Sequence, residues 1–360
     1  MRHSPLRHLP AMVWKRRPLQ LTLFVTQRCN ARCTFCFYRS PELEATPRQL
    51  ELSLHEIRKV SASMGPLLWL AFSGGEIFLR DDLAEIAKIF YDQNSPSIIL
   101  LPTNGQLPET IREQTEAILR HCRKSTVVLK LSLDGPEEVH DRMRGIPGAF
   151  EKALATYELV AELLDDHENF ELGINTVFCA ANQHRMGEFI GIVRGLEKIS
   201  THTVSLVRGR VPDGTMKEID HDLYEQTIEM LEGNLKDHGA GRYRFPGARI
   251  KAAQDILQRR LIHDTAVARK RLTPCYAGKL TLVVTETGDL YPCESFESNM
   301  GNLRDWNYDV EKILASAKGK KVVREIGTNG CYCTHECHTM MNILFNPARY
   351  PSLVKEYVQL

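Results

Sequence analysis

The chain has 360 residues, 43% hydrophobic and 25% charged, the proportions of an ordinary globular protein with enough apolar mass for a core, and its length fits two or three domains. Lys and Arg total 46 against 45 Asp and Glu, a balance that gives no support for a nucleic-acid or polyanion partner. No apolar run reaches the length of a membrane span or a signal-peptide core. The expectation is a cytoplasmic protein with no transmembrane segment, whose ten cysteines stay reduced and serve metal chemistry rather than disulfides.

Residues 1–18 form a basic arm carrying Arg2, Arg7, Lys15, Arg16 and Arg17 around Trp14. It reads as a terminal segment packing on the domain, with a membrane-surface contact as the alternative. From 19 to 210, short β-rich runs alternate with amphipathic stretches. Strands are predicted at Leu19–Thr26, Leu67–Phe72, Ile98–Leu101, Val127–Leu133, Phe170–Phe178 and His202–Leu206. Helices are predicted at Ser53–Met64, Asp81–Gln93, Pro108–Cys122, Ala149–Leu164 and His184–Lys198, the first opened by a capping box of Ser53 and Glu56. Such alternation argues for parallel strands joined by right-handed crossovers. Periodicity does not choose between an open sheet and a barrel.

Directly behind the first strand come Cys29, Cys33 and Cys36, spaced so that three thiolates can converge on one inorganic centre. A cubane iron–sulfur cluster takes four ligands, one per iron, and this loop supplies three. The next cysteine, Cys122, lies in a helical pattern and reads as core, as does Cys179. One iron is then left open to a small molecule. A zinc site is the bland alternative, but zinc usually draws four ligands from two paired knuckles, and no second knuckle is near.

This loop, with Phe35 just before its last cysteine, resembles the signature of the radical S-adenosylmethionine (SAM) superfamily. The resemblance implies an α/β fold, a partial (β/α)6 barrel, with a [4Fe–4S] cluster at Cys29, Cys33 and Cys36 and SAM on its open iron. Later turns fit the same pattern, each at a strand's carboxyl end, where parallel α/β folds gather ligands. Ser73-Gly74-Gly75-Glu76 is similar to the superfamily segment that holds the methionyl amino group. Thr103-Asn104-Gly105 is similar to one lining the SAM pocket. Ser132-Leu133-Asp134-Gly135, with the run to Arg144-Gly145 and Phe150, looks like the SPASM/Twitch branch and implies Ser132 and Asp134 at the ribose. Asn175 on the fifth strand faces either the pocket or a crossover helix. After the sixth strand, Arg208 is placed to grip a carboxylate of SAM or substrate, and a solvated pair with Arg210 is the alternative.

Residues 211–272 read as a helical linker, Asp222–Lys236 and Ala248–His263 around a turn with Gly239, Gly241, Pro246 and Gly247; no catalytic constellation is visible there. Residues 273–345 hold a second cysteine group, and 346–360 a C-terminal tail. Cys275, a Thr287-Gly288-Asp289 hairpin turn and Cys293 resemble the opening of a Twitch or SPASM domain. Cys331, Cys333 and Cys337 follow in a shorter pattern than full SPASM. Five thiols fit one auxiliary [4Fe–4S] cluster: Cys275, Cys293, Cys333 and Cys337 are the expected ligands, Cys331 is doubtful, and His335 and His338 lie outside. A four-cysteine zinc site is the rival.

The resemblance implies reductive cleavage of SAM to a 5′-deoxyadenosyl radical, hydrogen abstraction from a peptide or small metabolite, and an electron donor such as flavodoxin or ferredoxin. Oxidation and rearrangement both remain open as outcomes. The start of the barrel within about twenty residues is expected to leave no room for a leader-peptide or cobalamin domain. Glu294 and Arg208 are the weak candidates for catalysis. A zinc-binding or non-catalytic α/β protein and an RNA-modifying radical enzyme are the alternatives.

Overall fold

Alternation along the strands sets the architecture, because successive side chains of a β-strand point to opposite faces. In the computed structural model, which describes residues 2–38, 46–237, 243–245, 247–328 and 330–360, six parallel strands form: β1 Gln20–Thr26, β2 Trp69–Gly74, β3 Ile98–Thr103, β4 Thr126–Ser132, β5 Phe170–Phe178 and β6 Thr201–Leu206. On β4, Val127, Leu129 and Leu131 point outward into the main core, while Val128, Lys130 and Ser132 line a central cavity. On β3, Ile99 and Leu101 face the core and Ile98, Leu100 and Pro102 face the cavity. The sheet therefore wraps a lumen, as the partial barrel expected from the sequence requires.

The outer layer is helical: α1 Leu54–Ala62, α2 Leu83–Asn94, α3 Pro108–His121, α4 Glu137–Arg144, α5 Ala149–Ala161, the single turn α6 Leu163–Asp166, and α7 Met186–Arg194. The Ser53 and Glu56 capping box forms at the start of α1, each side chain bonded to the other residue's backbone N–H. The short helix α4 stands where the sequence showed only a motif. Beyond the barrel come α8 His221–Lys236 and α9 Ala248–Ala268. Of the turn expected between them, Gly239, Gly241 and Pro246 lie outside the described residues, and Gly247 takes φ +93° at the start of α9.

The cysteine-rich region continues the same sheet. Its first strand, β7 Thr281–Val284, lies parallel beside β1, with Gln20 opposite Thr281, and β8 Asp289–Tyr291 and β9 Gly301–Asn302 add on antiparallel. The order is β6-β5-β4-β3-β2-β1-β7-β8-β9. Helices α10 Val310–Ala315, α11 Ala317–Thr328, α12 Glu336–Leu344 and α13 Tyr350–Gln359 complete the chain. The expected tail thus contains a helix, anchored on α9 by Arg260 Nη1 on Glu356 Oε1 at 2.7 Å. The basic arm crosses the amino ends of the strands, where His3 N donates to Lys124 O at 2.8 Å and Arg7 Nη2 to Leu67 O at 2.9 Å. Trp14 remains exposed. Among the described residues no helix is long and apolar enough to cross a membrane.

Candidate active site

The loop after β1 and the turn after β2 are fitted together through backbone. Gly75 N donates to Thr26 O at 2.8 Å and Glu76 N to Arg28 O at 2.9 Å. A Cβ on Gly74 would run into the Thr26 carbonyl, and one on Gly75 into the Arg28 carbonyl. Only glycine permits this approach, and Gly74 also needs φ +129°.

Glu76 is buried, and its carboxylate accepts from Asn104 N at 2.7 Å, Thr103 Oγ1 at 2.9 Å and Phe78 N at 3.3 Å. Burial pushes its pKa up to about 7 in spite of these donors. Asn104 in turn reaches the cysteine loop, donating from Nδ2 to Asn30 Oδ1 at 2.7 Å. The turns after β1, β2 and β3 are thereby tied into one wall.

Cys29, Cys33 and Cys36 are half-buried and line one cavity of about 370 Å³ together with Phe35, Gly74, Gly75, Glu76, Asn104 and Ser132. Donors point at the sulfurs: Ala31 N lies 3.4 Å from Cys29 Sγ and Arg144 Nη1 lies 3.7 Å from Cys33 Sγ. Burial raises the Cys29 thiol and pushes Cys33 up to about 11 although Arg144 opposes it. None of the ten cysteines forms a disulfide. Among the described residues no three His, Cys, Asp or Glu side chains gather closely enough to hold one metal ion. A cubane makes no such demand, since each thiolate binds a different iron. Three reduced thiols on one cavity wall, with N–H and guanidinium donors at their sulfurs, are a donor set that fits a [4Fe–4S] cluster with one corner uncovered.

Two expected ribose ligands part company. Ser132 lines the cavity. Asp134 is fully buried behind the wall, where Oδ1 accepts from Val177 N at 2.9 Å and Oδ2 pairs with Arg144 at 2.6 Å. Arg144, which the sequence reading passed over, is what reaches the cavity, its guanidinium 5.2 Å from the centre of the Phe35 ring. Burial works against its charge, but Asp134 and the Cys33 sulfur outweigh that and keep it protonated. Its only trace in sequence was the Arg-Gly pair, in which Gly145 ends α4 in the left-handed region. Asn175 faces the cavity rather than a helix, opposite Ser132 and Thr203 in register and accepting from Ser205 Oγ at 3.5 Å.

Across the mouth, Arg208 lines the cavity but its guanidinium is engaged, with Nη2 2.5 Å from Glu294 Oε2 and the Phe37 ring 4.2 Å away. Glu294 also meets His335 Nε2 at 2.8 Å. Burial disfavours its charge, yet His335 and Arg208 hold its carboxyl well below the usual range. His335 Nδ1 accepts from Cys337 N at 3.1 Å, and His338 Nδ1 bonds Thr281 Oγ1 at 3.1 Å. Arg210 is exposed and lies off the cavity lining. Arg208, Glu294 and His335 thus join the barrel mouth to the second cysteine group.

Within that group, Cys275 responds electrostatically to Cys293 and Cys331, Cys293 to Cys331, and Cys333 to Cys293 and Cys275. Cys337 answers instead to Glu294, Glu336 and Arg208, and it lines the barrel cavity. Burial pushes Cys337 up to about 12. Cys331 is exposed and accepts from Arg271 Nη2 at 2.8 Å. The cavity also extends inward to Lys130 and to Tyr243, Lys251, Asp255 and Arg259 on and before α9, residues in a region where the sequence showed no constellation.

Comparison with known proteins agrees with this geometry. Residues 23–182 match the radical SAM superfamily, so the chain carries a radical SAM domain. It is 28% identical over 294 residues to an AdoMet-dependent heme synthase of Methanosarcina barkeri, covering 78% of each chain. It is 26% identical over 302 residues to the antilisterial bacteriocin subtilosin biosynthesis protein AlbA of Bacillus subtilis, covering 81% of this chain and 59% of that one. The crystal structure of anSMEcpe with bound AdoMet shares the fold at a TM-score of 0.61 and 16% identity, over 95% of this chain and 96% of that one.

Proposed function

We propose that the chain abstracts a hydrogen atom from a peptide or small metabolite in the barrel lumen and that a second [4Fe–4S] cluster, in the C-terminal cysteine group, assists its oxidation or rearrangement. The observation that carries the reading is the convergence of the cysteine loop, the turns after β2 and β3, Ser132 at the end of β4 and Arg144 of α4 on one cavity, whose mouth also receives Glu294 and Cys337 from the second cysteine group. A cluster at Cys29, Cys33 and Cys36 with SAM on its open iron supplies the 5′-deoxyadenosyl radical.

The chain's own residues hold the parts in place. Phe35, Gly74, Gly75, Glu76, Asn104 and Ser132 would form the SAM wall, with Glu76 offering its remaining lone pair to an ammonium. Asp134 acts through Arg144, fixing a cation beside Cys33. Arg208 and Glu294 pair at the mouth and would link the barrel to the second cysteine group. For the auxiliary cluster, Cys275, Cys293 and Cys333 are common to every assignment. Cys337 is the proposed fourth ligand, with Cys331 as the spare thiol.

The substrate class stays broad. One relative is named for heme synthesis and another for biosynthesis of a bacteriocin. A flavodoxin or ferredoxin is the proposed reductant. Anaerobic reconstitution followed by iron, sulfide and product analysis tests the reading. About eight iron atoms per chain and dithionite-dependent release of 5′-deoxyadenosine and methionine are expected, with two four-iron clusters setting the count. Cys29→Ala should lose the product and half of the iron. An iron-free chain, or one that leaves SAM intact, overturns it.

A further inference from the structure

At the inner end of the cavity three basic side chains, Lys130, Lys251 and Arg259, share the lining with one carboxylate, Asp255. Lys130 sits in the lumen on β4, where Nζ donates to Thr203 Oγ1 at 3.1 Å. Arg259 on α9 is buried. Its Nη2 donates to His202 O at 2.9 Å, and its Nη1 is enclosed without a hydrogen-bond partner. The nearby acid is already engaged: Lys251 Nζ pairs with Asp255 Oδ1, and Tyr243 Oη donates to Asp255 Oδ2 at 2.7 Å. Glu171 accepts from Arg244 N at 2.6 Å through Oε1, while its Oε2 is buried without a hydrogen-bond partner and lies beyond ion-pair distance of Lys130 and Arg259. Among the described residues neither Lys130 nor Arg259 has a carboxylate within ion-pair distance. Arg259 keeps an enclosed guanidinium with no carboxylate to pair with, and burying such a charge unpaired is unfavourable; with Lys130 on the same lumen, the site is organised for an anion from outside.

The surroundings set the ligand's shape. Lys130 lies two residues below Ser132 on its strand, which sets its backbone roughly 7 Å deeper than Ser132 at about 3.3 Å per residue. The rest of the lining from β2, β3 and β4 at this depth, Trp69, Ala71, Ile98, Leu100 and Val128, is apolar. We infer that this end of the lumen is a carboxylate-binding subsite, in which Lys130 and Arg259 hold an acid group of the substrate while an apolar segment spans the distance to the reacting C–H bond. The naming of this ligand as substrate rests on the radical SAM reading of the cavity; the subsite itself does not.

Ligand-observed NMR and calorimetry on the full-length reconstituted chain test it, with glutarate, glutaramide, glycerol phosphate and an acetylated, amidated pentapeptide with a central Glu as probes. SAM binding is measured on the same samples. Glutarate is expected to bind at least about tenfold more tightly than glutaramide, and Lys130→Met to remove that preference without changing SAM affinity, in line with the cost of removing one partner of a buried charge pair. Arg259→Gln should act alike, with its melting curve confirming the fold. Preference for the peptide over glutarate assigns the carboxylate to a peptide side chain, and preference for glutarate to a small acid; either supports the subsite. Equal binding of glutarate and glutaramide, unchanged preference in Lys130→Met, or tighter binding of glycerol phosphate overturns it. Failure of SAM to bind strikes the functional reading alone.

Discussion

Asp134 serves a cavity it does not line, by holding Arg144 in the wall. Removing one member of a buried ion pair leaves the other charge uncompensated, at a cost of about 3–5 kcal/mol. Asp134→Ala should therefore lower unfolding free energy by that order and reduce iron loading, read by urea titration and by iron per chain. Asp134→Leu combined with Arg144→Met removes both charges and should recover much of the stability, but not the iron, if Arg144 also supports the Cys33 sulfur. Lys130 gives the opposite kind of signal. Burial brings its folded pKa down to about 7, against an ordinary lysine value near 10.5 in the unfolded chain. Between those values the unfolded state binds more protons, so stability rises with pH above about 7. The wild type should gain stability relative to Lys130→Met from pH 7 to pH 9, by less than the full ~1.4 kcal/mol per unit because the amine borders a solvent-accessible cavity.

At the scale of elements, α1 ties the barrel to the C-terminal region. Glu56 completes the capping box at Ser53 and also receives Arg304 Nε at 2.7 Å and Tyr308 Oη at 2.9 Å. The Arg304 bond, first among these, holds its pKa down to about 2 despite partial burial. A depressed carboxylate contributes stability above its unfolded value near 4.5 that is lost as pH falls through about 2. Glu56→Gln should cost about 1–2 kcal/mol at pH 7, and the difference should vanish near pH 2; Ser53→Ala should cost about 1 kcal/mol. Chemical denaturation of both variants across pH checks this.

The same helix shows what sequence can and cannot carry. Ser53 and Glu56 announce a helix start because the cap is local, and β5 matches its expected bounds because its apolar run is bracketed by polar turns. Arg144 escaped because its helix is eight residues long and its partner Asp134 lies across a turn. The direction of Asn175 needed the register with Ser132 and Thr203, which no local pattern encodes. The cavity residues of α9 were invisible for a related reason. A helix with Gln254, Asp255, Gln258 and Arg259 all buried shows no clean apolar stripe. Lys130, the one charged residue in the run Val127–Leu133, marks with Ser132 the face of β4 that lines the lumen.

At the scale of the whole molecule, the decisive feature is that β7 completes the pairing of β1. A cysteine-rich region tethered to the barrel by a linker alone would leave β1 as an exposed edge carrying Leu21, Leu23, Phe24 and Val25, a template for aggregation. Here β1 lies between β2 and β7, and α9 packs on α12 and α13 as well as on α8. The main core accordingly includes Leu282, Val284, Leu290, Leu303 and Ile313 alongside the barrel residues. Barrel and cysteine-rich region should therefore unfold together. Calorimetry of the cluster-free chain is expected to show a single transition whose van't Hoff and calorimetric enthalpies agree. Truncation after residue 272 should yield aggregated material rather than a folded barrel, because it strips β1 of one neighbour and α9 of two. A soluble truncation with native-like circular dichroism, or two separated transitions in the full chain, would show that the shared sheet does not couple them. Coupling of this kind also bears on catalysis: with β1 leading into the cysteine loop and β7 into the hairpin before Cys293, adjacent strands of one sheet set the spacing of the two cysteine groups.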